Sequence, residues 1–132
     1  MNPQWVHNFH MKKVFAIRVA VIGSRSLFVN DLELYLPSQT KQIVSGGARG
    51  IDLCAKRYAE EHHIPYLEIL PDYARYGKKA PLIRNLDIIA AADLVLAFWD
   101  GHSHGTAHVI RQCKQRNIPI CVYCPNKKES ST

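Results

Sequence analysis

The stretch IVSGGARGID, residues 43–52, places three glycines, an arginine and an aspartate directly after a β-branched apolar run. Glycine adopts positive φ without steric cost and lets another group approach the backbone closely. An apolar run that enters such a turn and is followed by a helical pattern is typical of a strand, a tight turn and a helix. The stretch therefore predicts a strand that ends near residue 46 and a helix that begins near residue 51.

Similar units repeat along the rest of the chain. The five predicted strands cover residues 18–23, 41–46, 65–70, 93–98 and 119–123. Helical patterns lie between them at residues 29–36, 51–63, 80–92 and 106–117. Most of the strands lack polar alternation, as expected for parallel strands that are covered on both faces. The sequence predicts an α/β fold: a single Rossmann-like three-layer domain with a doubly wound parallel sheet of about five strands, in the order 3-2-1-4-5.

Length and composition fit one domain. The chain has 132 residues, of which 47% are hydrophobic, enough for one compact core. We expect an N-terminal extension or the start of the first strand at residues 1–17, the domain at 18–124 and a polar tail at 125–132. Whether residues 1–10 are native stays open, because Met11 is an alternative start.

Two features of the sequence bear on its location. No apolar run reaches the roughly 18–20 residues that a membrane span needs, so we expect no membrane partner. The four cysteines do not have the spacing of a disulfide framework, which indicates a reduced, cytoplasmic protein. Cys121 and Cys124 form a C-x-x-C pair, but no second pair completes a zinc site, so packing is the favoured interpretation.

Glycine-bearing turns follow three of the predicted strands, at residues 23–25, 46–50 and 99–106. Each turn precedes a helix start, where free N–H groups and the helix dipole attract an anion. In the order 3-2-1-4-5, strands two, one and four are neighbours, so the turns should line one crevice at the carboxyl ends of the strands. Tight packing is the alternative explanation for any single turn. The residues expected to shape the crevice and cradle phosphate are Gly23, Ser24, Gly46, Gly47, Gly50, Gly101, Gly105 and Thr106.

Charged and polar side chains in the same segments should complete the site. Arg25, Arg49 and Arg84 would neutralise a phosphate, since a charge-assisted hydrogen bond contributes about 1.5–3 kcal/mol and a helix dipole alone about 0.3–1. A surface or inter-subunit salt bridge is the alternative for Arg49. Asp52 would either cap the following helix, the favoured interpretation, or accept from a ribose hydroxyl. The other candidate ligand-binding residues are Asn85, Asp100 and Ser103.

Other chemistry is less well supported by the sequence. His102, His104 and His108 lack a fitting array of cysteines or carboxylates, so we expect no metal site. GHSHG, residues 101–105, matches the nucleophile elbow G-x-S-x-G, but little chain follows it for the acid and histidine of a hydrolase. The basic, aromatic segment 71–85 predicts a loop, either a lid over a ligand or an ordinary exposed loop, and Trp99 would stack on a base or pack in the core.

The motifs together resemble the SLOG superfamily, the Rossmann-like group that contains the Lonely Guy proteins and DprA. The likeness is greatest to its small YspA-type, YpsA-related members and covers roughly residues 18–124. The motifs that carry it are VIGSR (21–25), IVSGGARGID (43–52), IRN (83–85) and, above all, FWDGHSHGT (98–106). This resemblance implies a doubly wound sheet and a pocket for a nucleotide or a nucleotide derivative at these turns. It also suggests self-association into a homo-oligomer.

The resemblance leaves the activity open. Lonely Guy enzymes cleave nucleoside monophosphates to a free base and ribose phosphate, with the motif P-G-G-x-G-T-x-x-E. Val109 stands where that motif carries glutamate, so hydrolysis is in doubt and would need another acid or base, such as Asp87 or Asp100. DprA-like members bind single-stranded DNA with the help of flanking domains for which 132 residues leave little room.

We therefore expect a protein that binds a nucleotide or a nucleotide-derived ligand, such as ADP-ribose, without a cofactor. The formal net charge of +6 agrees with an anionic partner. A nucleotide N-glycosidic hydrolase and a module that binds single-stranded DNA are the alternatives.

Overall fold

Five parallel strands form one sheet at the centre of the protein. The structure is a computed structural model and describes residues 15–125. The strands are β1 (Ile17–Gly23), β2 (Thr40–Ser45), β3 (Tyr66–Glu68), β4 (Leu94–Phe98) and β5 (Ile120–Tyr123). They lie in the order β3-β2-β1-β4-β5, and each neighbouring pair is parallel. The predicted sheet and its strand order are confirmed. Of the predicted N-terminal extension and polar tail, residues 1–14 and 126–132 lie outside the described residues.

Helices cover both faces of this sheet. They are α1 (Ile51–Glu61), α2 (Tyr73–Tyr76), α3 (Ala80–Ala90) and α4 (His104–Gln115), with single 3-10 turns at Leu32–Leu34 and Gly77–Lys79. Successive side chains of a strand point to opposite faces. On β1, Val19 and Val21 therefore pack with α1 and Leu32, whereas Ala20 and Ile22 pack with α3 and α4. This arrangement gives the three predicted layers and explains why the strands lack polar alternation.

Two predictions of local structure are wrong. The helix expected at 29–36 is a single 3-10 turn, in which only Leu32 is buried and Leu34 is 75% exposed. Asp31, at its N-cap position, makes no side-chain capping hydrogen bond, and Pro37 follows the segment. In the segment 71–85, the helix predicted from residue 80 is confirmed as α3, whereas the loop expected before it contains α2 and a 3-10 turn. Asp72 begins α2 by accepting a hydrogen bond from the backbone N–H of Arg75 at 3.1 Å, and Pro81 lies in the first turn of α3.

Three further properties concern the whole described part of the chain. None of its helices is long and apolar enough to cross a membrane. Residues 15–125 contain no group of three or more histidine, cysteine, aspartate or glutamate side chains placed to hold a metal ion. All four cysteines are free; Cys113 is buried in the core and Cys121 is exposed on the edge strand β5.

Candidate ligand-binding cleft

A cleft of about 380 Å³ opens at the carboxyl ends of β1, β2 and β4, between α3 and α4. Apolar side chains of Ile22, Ile88 and Val109 line part of it. Ten residues of the predicted site also line it: Gly23, Ser24, Arg25, Asp52, Arg84, Asn85, Asp100, Ser103, Gly105 and Thr106. The strand order is the reason for this convergence, because β2, β1 and β4 are adjacent and parallel.

Five residues of the predicted site do not line the cleft: Gly46, Gly47, Arg49, Gly50 and Gly101. Their surroundings give the reason for three of them. A Cβ at Gly46 would lie 2.8 Å from Nη1 of Arg84, and one at Gly50 would lie 2.5 Å from the backbone oxygen of Ser24. Gly47 and Gly50 also have φ of +75° and +72°. These glycines allow the turn after β2 to pack closely against Arg84 and the turn after β1. Arg49 is exposed and lies outside the cleft.

The N-terminus of α4 forms one wall of the cleft. Ser103 is the N-cap residue, yet its side chain makes no capping hydrogen bond. Its Oγ lies 2.6 Å from Oγ of Ser24, a fully buried residue at the end of β1. A Cβ added at Gly105 would have no neighbouring atom within 4 Å, and Gly105 lines the cleft, so the first turn of α4 is open toward it.

Asp100 holds the loop between β4 and α4 in place. Its Oδ1 accepts hydrogen bonds from the backbone N–H groups of His102 and Ser103, both at 2.8 Å, and its Oδ2 accepts from Ser26 at 2.9 Å. The two backbone N–H groups hold the pKa of Asp100 far below its usual range. The carboxylate therefore holds the conformation of this wall, and its role as a ligand-binding group stays a prediction.

Arg84 joins three elements around the cleft. Its Nη1 donates to the carbonyl of Gly46 at 2.8 Å and its Nε donates to Oδ1 of Asn85 at 3.1 Å. The amide nitrogen of Asn85 lies 3.2 Å from Nδ1 of His108 on α4. Burial lowers the pKa of Arg84, but a guanidinium starts so high that it stays charged at neutral pH. These bonds fix a positive charge in the wall of the cleft.

The buried carboxyl of Asp52 faces the same cleft from the first turn of α1. The prediction that it caps α1 is wrong, because Gly50 is the N-cap residue and Asp52 accepts from the backbone N–H of Ala48 in the preceding loop, at 3.1 Å. Burial raises the pKa of Asp52, against the opposing effects of the Ala48 N–H and the Arg84 charge.

Sequence reasoning missed several residues of the cleft. Ser26, Ala48, Pro81 and Leu82 line it together with the predicted residues. Ser26 directly follows the predicted GSR turn, which is a signal that could have included it, whereas Leu82 carries no such signal. Of the residues proposed as a lid, Tyr73, Arg75, Tyr76, Lys78 and Lys79 do not line the cleft. Trp99 packs against the core cluster on the α3 and α4 face, and its Nε1 donates to the carbonyl of Ser103 at 3.0 Å.

Together, the fold and the cleft define a Rossmann-like α/β protein with a polar cleft at the carboxyl ends of its central strands. Over 84 residues, the chain is 38% identical to the Gene 61 protein of Mycobacterium phage D29, an alignment that covers 59% of this chain and 67% of the phage protein. The chain belongs to the family of that phage protein. No protein-family model and no solved structure matches the chain.

Proposed function

We propose that the cleft binds a nucleotide or a nucleotide-derived ligand such as ADP-ribose, with a phosphate group at the N-terminus of α4. The open first turn of that helix carries the proposal. Ser103 does not cap it, and Gly105 leaves free space in front of it. Uncapped backbone N–H groups and the helix dipole attract an anion at such a position.

The balance of charge in the cleft supports an anionic ligand. Arg25 and Arg84 line it. Burial is the main cause that lowers the pKa of Arg84, Asp52 opposes it, and the nearby charge of Arg25 lowers the pKa further. A phosphate between two guanidinium groups would relieve this repulsion and gain charge-assisted hydrogen bonds. Of the two carboxylates that line the cleft, Asp100 keeps its negative charge, but both of its oxygens accept hydrogen bonds from its own loop and from Ser26.

The size of the cleft also suits this ligand class. Its volume of about 380 Å³ lies in the range of about 300–1,000 Å³ that is usual for small-molecule sites. Hydroxyl groups of Ser24, Ser103 and Thr106 lie beside the helix start, where they can donate to phosphate oxygens. A nucleoside phosphate is therefore a better match than a long polymer.

Binding is favoured over hydrolysis by the surroundings of the carboxylates. Val109, which stands where Lonely Guy enzymes carry glutamate, is 2% exposed and packs in the core. Asp100 is engaged by its loop, and Asp87 is exposed and does not line the cleft. Neither of the two carboxylates suggested as substitutes is thus free to act on a ligand in the cleft.

The same proposal includes membership of the SLOG superfamily, on the motifs that now lie around one cleft. It also includes a reducing, cytoplasmic location, since all four cysteines are free. Homo-oligomerisation rests on the resemblance alone and stays a prediction, as does the alternative of single-stranded DNA binding.

Thermal unfolding in the presence of AMP, ADP, ADP-ribose and NAD tests the proposal. A ligand present at one hundred times its Kd stabilises the fold by about 2.7 kcal/mol, which raises the Tm of a small domain by several degrees. We expect such a rise with at least one of the four. No rise with any of them at millimolar concentration would contradict nucleotide binding.

A matched pair of variants tests where the phosphate lies. Gly105→Leu fills the space in front of the α4 N-terminus and should abolish the rise in Tm while leaving the unliganded Tm unchanged or higher, since leucine favours helix over glycine. His104→Leu changes the neighbouring exposed position, which does not line the cleft, and should keep the rise. An undiminished rise in Gly105→Leu would move the phosphate away from α4.

A further inference from the structure

The guanidinium of Arg84 has one nitrogen that the protein leaves free for a ligand. Nε donates to Oδ1 of Asn85 at 3.1 Å, and Nη1 donates to the carbonyls of Gly46 and Ile69 at 2.8 Å and 3.5 Å. Nη2 makes no hydrogen bond within residues 15–125, yet it is not among their buried unpaired side-chain atoms, so it is accessible. Since Arg84 lines the cleft, both N–H groups of Nη2 are available to a ligand in it.

Asn85 ties this guanidinium to α4. Asn85 is 6% exposed, and its Nδ2 lies 3.2 Å from Nδ1 of His108. The Nε of an arginine is always a donor, so the Asn85 atom that faces it must be the carbonyl oxygen. The amide nitrogen then faces His108, and Nδ1 of His108 must be the acceptor. The two bonds therefore require the neutral imidazole with its proton on Nε2.

A second proton on His108 is incompatible with these two bonds. A protonated imidazole donates from both of its nitrogens, so its Nδ1–H would face the N–H groups of the Asn85 amide. Rotation of the amide would give His108 an acceptor, but it would turn the NH2 group toward Nε of Arg84, which is also a donor. Protonation therefore removes one of the bonds that orient Arg84.

The surroundings of His108 favour its neutral form. Burial is the main cause that lowers its pKa, and the charges of Arg111 and Arg116 lower it further. The other titratable side chains of α3 and α4, the two helices that meet at His108, do not contribute to this shift: Arg84, Asp87, His104, Cys113 and Lys114. Within the described residues, no carboxylate thus stabilises a charged His108.

We propose that Asn85 is a positioning residue for Arg84 and that it acts only while His108 is neutral, so that the affinity of the cleft for an anionic ligand falls when His108 is protonated. This assignment rests on the proposed nucleotide binding and adds a dependence on pH to it. A positive charge on His108 would by itself attract an anion. A fall in affinity toward acid pH is therefore the sign of lost orientation and not of simple electrostatics.

Nitrogen-15 NMR of the histidine side chains tests the tautomer without any ligand. At neutral pH, we expect the proton of His108 on Nε2, with its signal identified by the absence of that signal in His108→Asn. In Asn85→Asp, a carboxylate can accept from Arg84 and from a protonated His108, so the pKa of His108 should rise. A proton on Nδ1 at neutral pH, or an unchanged pKa in Asn85→Asp, would overturn the assignment. If Asn85→Asp does not fold, the tautomer in the unmodified protein still decides.

Calorimetric titration with ADP-ribose between pH 8 and pH 5 tests the consequence for binding. Both phosphates of this probe are diesters, which do not take up a proton in this range. We expect its affinity for the unmodified protein to fall about 5- to 10-fold toward pH 5. This is less than the full loss of a hydrogen bond to a charged group, because the lowered pKa keeps part of His108 neutral. In His108→Asn, an amide oxygen replaces Nδ1 as the acceptor and cannot be protonated, so the fall should disappear.

His104→Asn is the matched control, because it removes an exposed histidine one turn earlier on α4 that does not line the cleft. It should keep the fall. An affinity of the unmodified protein that is constant or rises toward pH 5, or a fall that persists in His108→Asn, would overturn the role of His108 while leaving nucleotide binding intact. If ADP-ribose does not bind at any pH, the effect on affinity fails together with the proposed function, and the NMR measurement still decides the bond between Asn85 and His108.

Discussion

The turn between β2 and α1 and the turn between β4 and α4 have similar glycine-rich sequences, yet their glycines have opposite surroundings. A Cβ added at Gly46 would clash with the side chain of Arg84, and one added at Gly50 would clash with the backbone of Ser24. By contrast, a Cβ added at Gly101 or Gly105 would have no neighbouring atom within 4 Å. In the first turn, glycine lets protein approach protein. In the second, it leaves open space, which at Gly105 is part of the cleft.

The largest effect that this comparison predicts is on stability. Gly50→Ala would add a Cβ 2.5 Å from the backbone oxygen of Ser24 at a φ of +72°. We expect the free energy of unfolding to fall by about 2–6 kcal/mol, from backbone strain and overpacking together. Unfolding in urea measures this change.

Gly101→Ala is the control for Gly50→Ala, because its φ of +86° is also positive but its surroundings are open. Only the backbone strain of about 1–3 kcal/mol should remain. Equal losses in the two variants would mean that crowding does not distinguish the two turns.

The strands were predictable from the sequence because both faces of the sheet are covered. Val19 and Val21 pack against one layer and Ala20 and Ile22 against the other, so β1 reads as a continuous apolar run. The four-residue helix α2 was not predictable by the same means, because none of its residues is buried. It depends on a single cap by Asp72 and ends at Gly77, which has a φ of +60°.

The site was predictable at the level of segments but not of contacts. Strand order brings the turns together. The alternation of strands and helices predicts a parallel sheet, and the order 3-2-1-4-5 was assumed from the Rossmann-like pattern. The pairing of Ser24 with Ser103 joins residues 79 positions apart, and no local pattern encodes it. The sequence also could not predict which glycines face the cleft. Gly50 is closely surrounded by backbone atoms and Gly105 is not, although both are glycines in a turn before a helix.

An effect of intermediate size is predicted for ligand affinity when either of two arginines is replaced. From the sequence, both Arg25 and Arg49 were expected to neutralise a phosphate. Arg25 lines the cleft and Arg49, in the crowded turn, does not. Arg25→Gln should weaken binding of the ligand found by thermal unfolding about 5- to 10-fold, which is less than a buried charge-assisted bond contributes, because this side chain is exposed.

Arg49→Gln removes the same charge and should change the affinity less than about twofold at physiological salt, where exposed charges outside the site are largely screened. Calorimetry at the same ionic strength compares the two variants. A larger loss in Arg49→Gln than in Arg25→Gln would reverse the roles assigned to the two turns.

The smallest predicted effect is on the pH dependence of stability without ligand, where the two turns should respond with opposite sign. The pKa of Asp100 is lowered in the fold by backbone N–H groups. Its stabilising contribution is therefore present above the unfolded pKa of about 3.9 and is lost as the pH falls through the folded pKa. The pKa of Asp52 is raised by burial, so its contribution is present below the unfolded value and is lost as the pH rises through the folded pKa.

Urea unfolding between pH 3 and pH 8 separates the two aspartates. Relative to Asp100→Asn, the unmodified protein should lose its advantage as the pH falls below about 4, because the unfolded chain then binds a proton at this carboxyl. The folded protein, in which the backbone N–H groups of His102 and Ser103 hold the pKa far lower, does not. Relative to Asp52→Asn, it should lose stability toward neutral pH, because ionisation of a buried carboxyl is opposed by desolvation. The differences between each variant and the unmodified protein are the measured quantities, so a constant effect of the amide cancels. If the stability difference changes with pH in the same direction for both variants, Asp52 is solvated like Asp100. The turn between β2 and α1 would then be as open as the turn between β4 and α4.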